Sequence, residues 1–180
     1  MEETFLTAEQ INHQLANLHQ LCFEVTDACN LQCKYCAYGE LYNDYDTRDC
    51  KTLSVSAAIK LIDYLVELWN SRYNTSEKSH VYISFYGGEP LLNMTFIKTI
   101  VNYVESLNCT NREFTFSMTT NALLLKRNMD FLVEHRFNLL ISLDGNEYNT
   151  SYRVDKKGRP AYSRICLLYT SPSPRDSWAS

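Results

Sequence analysis

Three cysteines lie close together near the start of the sequence, within DACNLQCKYCAYG. Cys29, Cys33 and Cys36 follow the spacing C-x3-C-x2-C. Thiolates at such short spacing are typical ligands of zinc or of an iron–sulfur cluster. A structural zinc site would need a fourth protein ligand, and the nearest candidate, Cys50, follows Cys36 by fourteen residues. A cubane cluster on three thiolates would leave one iron open for a substrate, so the spacing favours the cluster.

Two further motifs contain residues that could contact a bound ligand. The motif GGEP includes Gly87 and Gly88, which allow close approach to the backbone, and Glu89, which could accept hydrogen bonds from an ammonium group. The motif SLDG includes Ser142 and Asp144. Taken alone, each motif is better explained as an ordinary turn.

Strands and helices are predicted to alternate along the chain. Runs rich in β-branched, aromatic and aliphatic residues predict four strands, at 21–26, 81–86, 113–118 and 138–143. Amphipathic patterns between the strands predict helices that begin near Ser54, Asn93 and Asn128. This alternation predicts an α/β fold with a parallel sheet, and both an open doubly wound sheet and a (β/α) barrel fit it.

The motifs occupy equivalent places in this pattern. The cysteines follow the first predicted strand, GGEP follows the second, TTN (119–121) follows the third, and SLDG ends the fourth. Ligands of parallel sheets bind at the carboxyl ends of the strands. The sequence therefore predicts that all four motifs lie on one rim.

Composition limits the classes of function. The chain has 180 residues, 45% of them hydrophobic, and a net charge of −4, which fits one soluble domain and argues against broad nucleic-acid binding. No apolar run is long enough for a membrane span, and the polar N-terminus is unlike a signal peptide. Seven cysteines without a secretion signal favour metal binding or catalysis in the cytoplasm over a disulfide scaffold.

Together and in this order, CNLQCKYC, FYGGEPLL, TTN and ISLDG resemble the radical S-adenosylmethionine (SAM) superfamily. The resemblance implies the first four β-α steps of a partial parallel (β/α)6 barrel. It implies a 4Fe–4S cluster on Cys29, Cys33 and Cys36, whose open iron binds SAM. It also implies reductive cleavage of SAM to a 5′-deoxyadenosyl radical, with an electron donor such as flavodoxin or ferredoxin.

The same resemblance implies that seven residues bind SAM: Tyr35, Gly87, Gly88, Glu89, Ser142, Asp144 and Arg153. The GGE residues would contact the amino group, Tyr35 would lie near the adenine, and Ser142 would reach the ribose close to Asp144. Arg153 would meet the carboxylate, although the His-Asp pair that often precedes this arginine in the family is missing from NTSYR. No residue is assigned to substrate chemistry.

The motifs are most similar to the branch with a C-terminal SPASM domain, which includes anaerobic sulfatase maturases and enzymes that modify peptides. A finer similarity is to maturases of cysteine-repeat peptides. This branch implies a peptide or protein substrate. A non-catalytic module that binds a peptide and contains a cluster or zinc is the main alternative. A different radical SAM reaction, such as methylthiolation or nucleotide modification, is a third.

Three parts of the chain are expected: an N-terminal extension (1–20), a partial radical SAM core (21–165) and a tail (166–180). The string CLLYTSPSPRD at 166–176 resembles a translated sequencing adapter, so the tail is expected not to be native. Four β-α steps out of six would leave a strand edge and an apolar face uncovered. We therefore expect this chain to aggregate readily and to be weakly active at most.

Overall fold

The fold was described from a computed structural model, which covers residues 5–38, 48–76 and 79–170, apart from the side chains of 168–170. The five helices in this part are α1 (Ala8–Ala16), α2 (Val55–Trp69), α3 (Met94–Ser106), α4 (Leu125–Glu134) and α5 (Tyr162–Thr170). The four strands are β1 (Gln20–Thr26), β2 (Ser79–Gly87), β3 (Arg112–Thr120) and β4 (Asn138–Ile141). Short 3-10 turns occupy Pro90–Asn93 and Asn149–Tyr152.

The four strands form one sheet in the order β1-β2-β3-β4, and each neighbouring pair is parallel. The predicted parallel α/β fold is therefore confirmed. A doubly wound sheet reverses its strand order at a switch point, whereas these strands follow the order of the sequence, as in a segment of a (β/α) barrel. The fourth strand ends at Ile141, two residues before its predicted end.

One face of the sheet forms the hydrophobic core. Phe23 of β1 packs against Phe85 of β2 and against Phe96 of α3, with ring centroids 6.3 and 6.0 Å apart. Each large apolar side chain buried in this way contributes about 1.5–3 kcal/mol to folding. The alternate side chains, such as Tyr82 and Tyr86, are exposed on the opposite face. The core therefore supports the sheet from one side only in the described part of the chain.

Two predicted helix starts are confirmed and one is wrong. The side chains of Ser54 and Asn93 cap α2 and α3 by accepting a hydrogen bond from the backbone N–H three residues ahead. The third helix begins at Leu125 rather than Asn128. Asn128 does not cap it, because its side-chain Nδ2 donates to the Leu124 carbonyl at 2.9 Å. No helix in the described ranges has the length and hydrophobicity needed to cross a membrane.

A turn late in the chain supports the cysteine loop. The backbone of Asp155 pairs with that of Leu31 in an antiparallel bridge, and the Gln32 N–H donates to the Val154 carbonyl at 2.7 Å. The Asp155 carboxylate accepts hydrogen bonds from the Arg159 guanidinium and from two backbone N–H groups of its own turn. These bonds, with that from the Arg159 side chain the largest influence, lower the pKa of Asp155 to about 2.

We expect Asp155→Asn to destabilise the chain at pH 6 and to matter less as the pH falls. A carboxyl group with a lowered pKa stabilises the folded state above its unfolded value and loses this contribution as the pH falls through the folded value. The difference between variant and wild type should therefore shrink from about pH 4 towards pH 2. Urea unfolding at pH 6 and pH 3 measures this difference. Asp130→Asn, on the exposed side of α4, is the control. An equal deficit at both pH values would contradict the prediction.

Candidate functional site

The three cysteines of the motif line one cavity of about 320 Å³ at the carboxyl edge of the sheet. They belong to the loop that follows β1, where the Cys36 N–H donates to the Cys33 carbonyl at 3.1 Å and turns the chain. The volume lies at the lower end of the range for small-molecule sites. The predicted shared rim therefore takes the form of a pocket with thiols on its wall.

The sulfur atoms of two cysteines accept hydrogen bonds from the chain. The Cys29 Sγ accepts from the Leu31 N–H at 3.4 Å and from the Asn121 Nδ2 at 3.8 Å. The Cys36 Sγ accepts from the Arg48 Nη2 at 3.1 Å. Hydrogen bonds of this kind orient the ligands of metal sites.

Burial raises the pKa of the Cys33 thiol, and the neighbouring thiols and Asp144 add to this rise, whereas Arg153 opposes it. A free Cys33 side chain is therefore a neutral thiol at pH 7. Binding of a metal or cluster here would release that proton, because only the thiolate is a ligand. In residues 5–38, 48–76 and 79–170, no group of three or more His, Cys, Asp or Glu side chains is arranged to hold a single metal ion.

Two glycines allow the end of β2 to lie directly against the cysteine loop. A Cβ on Gly87 would stand 2.3 Å from the Thr26 carbonyl oxygen, and a Cβ on Gly88 would stand 2.2 Å from that of Ala28. The Gly88 N–H donates to the Thr26 carbonyl at 2.7 Å, and the Glu89 N–H donates to the Ala28 carbonyl at 2.9 Å. The glycines therefore serve contact between two backbones, and both also line the cavity.

The Glu89 side chain is fully buried beside the cavity and does not line it. Its Oε1 accepts from the Leu91 N–H at 3.1 Å and from the Thr120 hydroxyl at 2.7 Å, and its Oε2 accepts from the Asn121 N–H at 2.8 Å. Burial raises the pKa of Glu89, and the three hydrogen bonds oppose the rise. This carboxylate joins the ends of β2 and β3. Its oxygens bond groups of the chain itself, so they do not face the cavity where the predicted ammonium group would bind.

Tyr35, Asp144 and Arg153 form one connected group. The Tyr35 hydroxyl donates to the Asp144 Oδ2 at 2.5 Å, and Arg153 donates to both carboxylate oxygens at 2.8 and 3.0 Å. The guanidinium also lies over the Tyr35 ring, 5.4 Å from its centroid. Burial raises the pKa of Asp144, but the bonds from Arg153 and Tyr35 outweigh it and leave the pKa below its ordinary value. The group fastens the cysteine loop to the chain after β4.

The structure brings most of the predicted site residues to this cavity. Those on its wall are Cys29, Cys33, Cys36, Tyr35, Gly87, Gly88, Ser142 and Arg153. Glu89 and Asp144 are not among the lining residues, and both accept hydrogen bonds from residues that are. Ser142 reaches the wall because its N–H donates to the Thr120 carbonyl at 2.9 Å, which extends the pairing of β3 and β4 by one bond.

Among the lining residues that were given no individual role in the sequence prediction, Asn121 and Arg48 contact sulfur atoms of the motif. Asn121 belongs to the quoted TTN motif, and its Nδ2 also donates to the Asn30 Oδ1 at 2.7 Å. The position of the motif after a strand is the signal that could have assigned it. Arg48 follows a polar stretch without any pattern, so only the folded chain reveals its contact with Cys36.

A comparison with protein families decides the classification. Residues 23–165 match the family model described as the Radical SAM superfamily. This chain belongs to the Radical SAM superfamily. The match covers the four strands apart from the first residues of β1, and all of the lining residues.

Individual proteins resemble this Radical SAM chain over most of its length. It is 36% identical over 145 residues to an uncharacterized protein of Methanocaldococcus jannaschii, covering 80% of this chain and 45% of that protein. It is 28% identical over 154 residues to the cysteine-type anaerobic sulfatase-maturating enzyme of Clostridium novyi, covering 84% of this chain and 39% of that enzyme. The chain thus spans less than half the length of either relative.

Solved structures show the same fold. Native anSMEcpe with bound AdoMet superposes with a TM-score of 0.68 at 23% identity, over 83% of this chain and 40% of that one. The same protein with bound AdoMet and the Kp18Cys peptide has a TM-score of 0.63. The described strands and helices therefore correspond to part of a radical SAM fold.

Proposed function

We propose that this chain carries the cofactor site of a radical SAM enzyme that cleaves SAM reductively and modifies a peptide or protein. The observation that carries the proposal is the meeting of three thiols, two glycines and Arg153 on one cavity of about 320 Å³. These groups come from three different loops at one edge of the sheet. Thiols, glycines and a guanidinium together suit a cluster and an amino-acid ligand, whereas ordinary turns do not need this combination.

The donor set fits a 4Fe–4S cluster. Cys29, Cys33 and Cys36 would hold three of its corners, and the N–H groups that already bond two of the sulfurs would stabilise the thiolates. When bound, the cluster supplies the electron that breaks a carbon–sulfur bond of SAM. The chain itself excludes water and orients the ligand, as proteins do for cofactors that carry the difficult step.

Each of the five wall residues that were predicted to bind SAM has a proposed task. The backbone at Gly87 and Gly88 would approach its amino group, and the guanidinium of Arg153 would pair with its carboxylate. Ser142 would reach the ribose and Tyr35 would lie near the adenine. Asp144 would keep both Tyr35 and Arg153 in place through the hydrogen bonds it already accepts.

Glu89 would act differently from the other predicted residues. We propose that it serves SAM through the rim it builds, because its oxygens are bonded to donors at Leu91, Thr120 and Asn121. These bonds fix the ends of β2 and β3 on either side of the glycines. A charge contact with the SAM amino group would be secondary to this positioning role.

The substrate class is inferred from the relatives. Sulfatase-maturating enzymes act on a protein, and one of the superposed structures contains a peptide. A SPASM-branch maturase with a peptide or protein substrate is therefore the proposal, with an electron donor such as flavodoxin or ferredoxin. A cytoplasmic location is part of the proposal, since a cysteine cluster that binds an iron–sulfur cluster suits a reducing compartment.

The test is anaerobic reconstitution of the chain with iron and sulfide. The proposal expects a brown protein with about four irons and four sulfides per chain. Addition of SAM should change the EPR spectrum of the reduced cluster, and dithionite should release 5′-deoxyadenosine. A colourless protein with one zinc per chain and no response to SAM would instead support the peptide-binding module.

A further inference from the structure

We propose that Arg48 is a positioning residue that makes the cluster easier to reduce. The inference rests on the proposed function, since it concerns the cluster held by the cysteine motif. Arg48 lies on the wall of the same cavity as the three thiols, and its Nη2 donates to the Cys36 Sγ at 3.1 Å. It therefore places a positive charge and an N–H donor on a predicted cluster ligand.

Several contacts fix the guanidinium in this position. Its Nη1 donates to the carbonyl of Leu31, a residue that is itself buried, at 3.3 Å. Its central carbon lies over the Tyr38 ring, 4.9 Å from the centroid. A side chain held by a carbonyl, a ring and a sulfur at once loses little further freedom when the cluster binds. The contact with Cys36 is therefore preorganised.

The effect of Arg48 on the reduction potential of the cluster has a definite sign. Reduction adds a negative charge to the cluster, and a nearby cation or a hydrogen bond to a ligand sulfur stabilises that charge. Arg48 supplies both, so it should raise the reduction potential. Arg153 is less suited to this task, because its Nε and Nη2 are bonded to the Asp144 carboxylate, which pairs its charge.

The test compares reduction potentials of the reconstituted 180-residue chain without SAM. Arg48→Gln, which removes the charge, should shift the redox equilibrium about tenfold towards the oxidised cluster, or about 59 mV for one electron. Arg48→Lys, which keeps the charge but loses the planar fork, should recover part of the shift. The potential is followed by the EPR signal of the reduced cluster during titration.

Arg72→Gln is the matched control. Arg72 also stacks on a tyrosine, 5.1 Å from the Tyr73 centroid, but it precedes β2 and so lies at the edge of the sheet opposite the cysteines. The reduction potential of the cluster in Arg72→Gln should equal that of the wild type. Equal potentials for Arg48→Gln and wild type, at equal iron content, would overturn the role of Arg48 and leave the proposed function intact.

Iron content separates the remaining outcomes. If the wild type binds no cluster, the proposed function fails and the role of Arg48 fails with it. If both Arg48 variants lose iron while Arg72→Gln keeps it, Arg48 supports the loop structurally and the tuning role is overturned. A lowered potential in Arg48→Gln with normal iron content supports the proposal.

Discussion

Replacing Gly88 by alanine is expected to destabilise the folded chain by about 3 kcal/mol, the upper range for overpacking. Its φ is not positive, so backbone preference alone would predict a tolerated substitution. The added Cβ would nevertheless stand 2.2 Å from the Ala28 carbonyl oxygen and 2.4 Å from that of Asp27. Both atoms belong to the backbone, so no change of rotamer can relieve the clash. The cysteine loop or the end of β2 would have to move.

The matched control is Gly158→Ala, where the backbone conformation disfavours alanine but an added Cβ meets no other atom. Gly158 has a φ of +76°, but nothing lies within 4 Å of an added Cβ. The strain of the left-handed conformation should cost about 1–2 kcal/mol. Urea unfolding of both variants, with the fraction of soluble monomer recorded, measures the two costs. A larger loss for Gly158→Ala would mean that the cysteine loop yields easily and is not held by β2.

The strands, the shared rim and two helix caps are the parts of the fold and site that could be predicted from the sequence. Runs rich in β-branched, aromatic and aliphatic residues predicted the four strands, and the amphipathic helices between them predicted that the strands are parallel. The prediction that the motifs share one rim followed from chain order alone, since each motif comes at or directly after the end of a predicted strand. Ser54 and Asn93 were predicted as caps because capping is a local interaction between neighbouring residues.

The interactions that the sequence did not predict join residues distant along the chain. Glu89 was expected to face a ligand, yet it bonds Thr120 and Asn121, which lie on another strand end. A glutamate after two glycines carries no sign of this partner, because burial arises only when β2 and β3 pair. Arg48 likewise contacts Cys36 only in the folded chain. The start of α4 was misplaced because an asparagine can donate to the preceding turn as well as cap a helix.

Replacing any one of Cys29, Cys33 or Cys36 by alanine is expected to abolish cluster binding and, with it, SAM cleavage. Two remaining thiolates cannot hold a cubane that already lacks a fourth protein ligand. Affinity for iron should fall by more than the roughly 10–100-fold loss typical of changes to groups that only support ligands. Iron and sulfide analysis after anaerobic reconstitution, together with the absorbance of the cluster, measures the loss directly.

Cys50→Ala and Cys109→Ala are the matched controls, and Cys50 also separates two kinds of site. Neither residue lines the cavity, and Cys50 is exposed. Both variants should keep the iron content of the wild type. Cys50 is, however, the nearest cysteine that could complete a four-thiolate site, so loss of metal from Cys50→Ala would contradict an iron left open for SAM, and metal analysis of the wild type would then distinguish zinc from a cluster. Retention by both controls and loss from all three motif variants would mean that the cavity thiols bind the metal without help from Cys50 or Cys109, as an open iron for SAM requires.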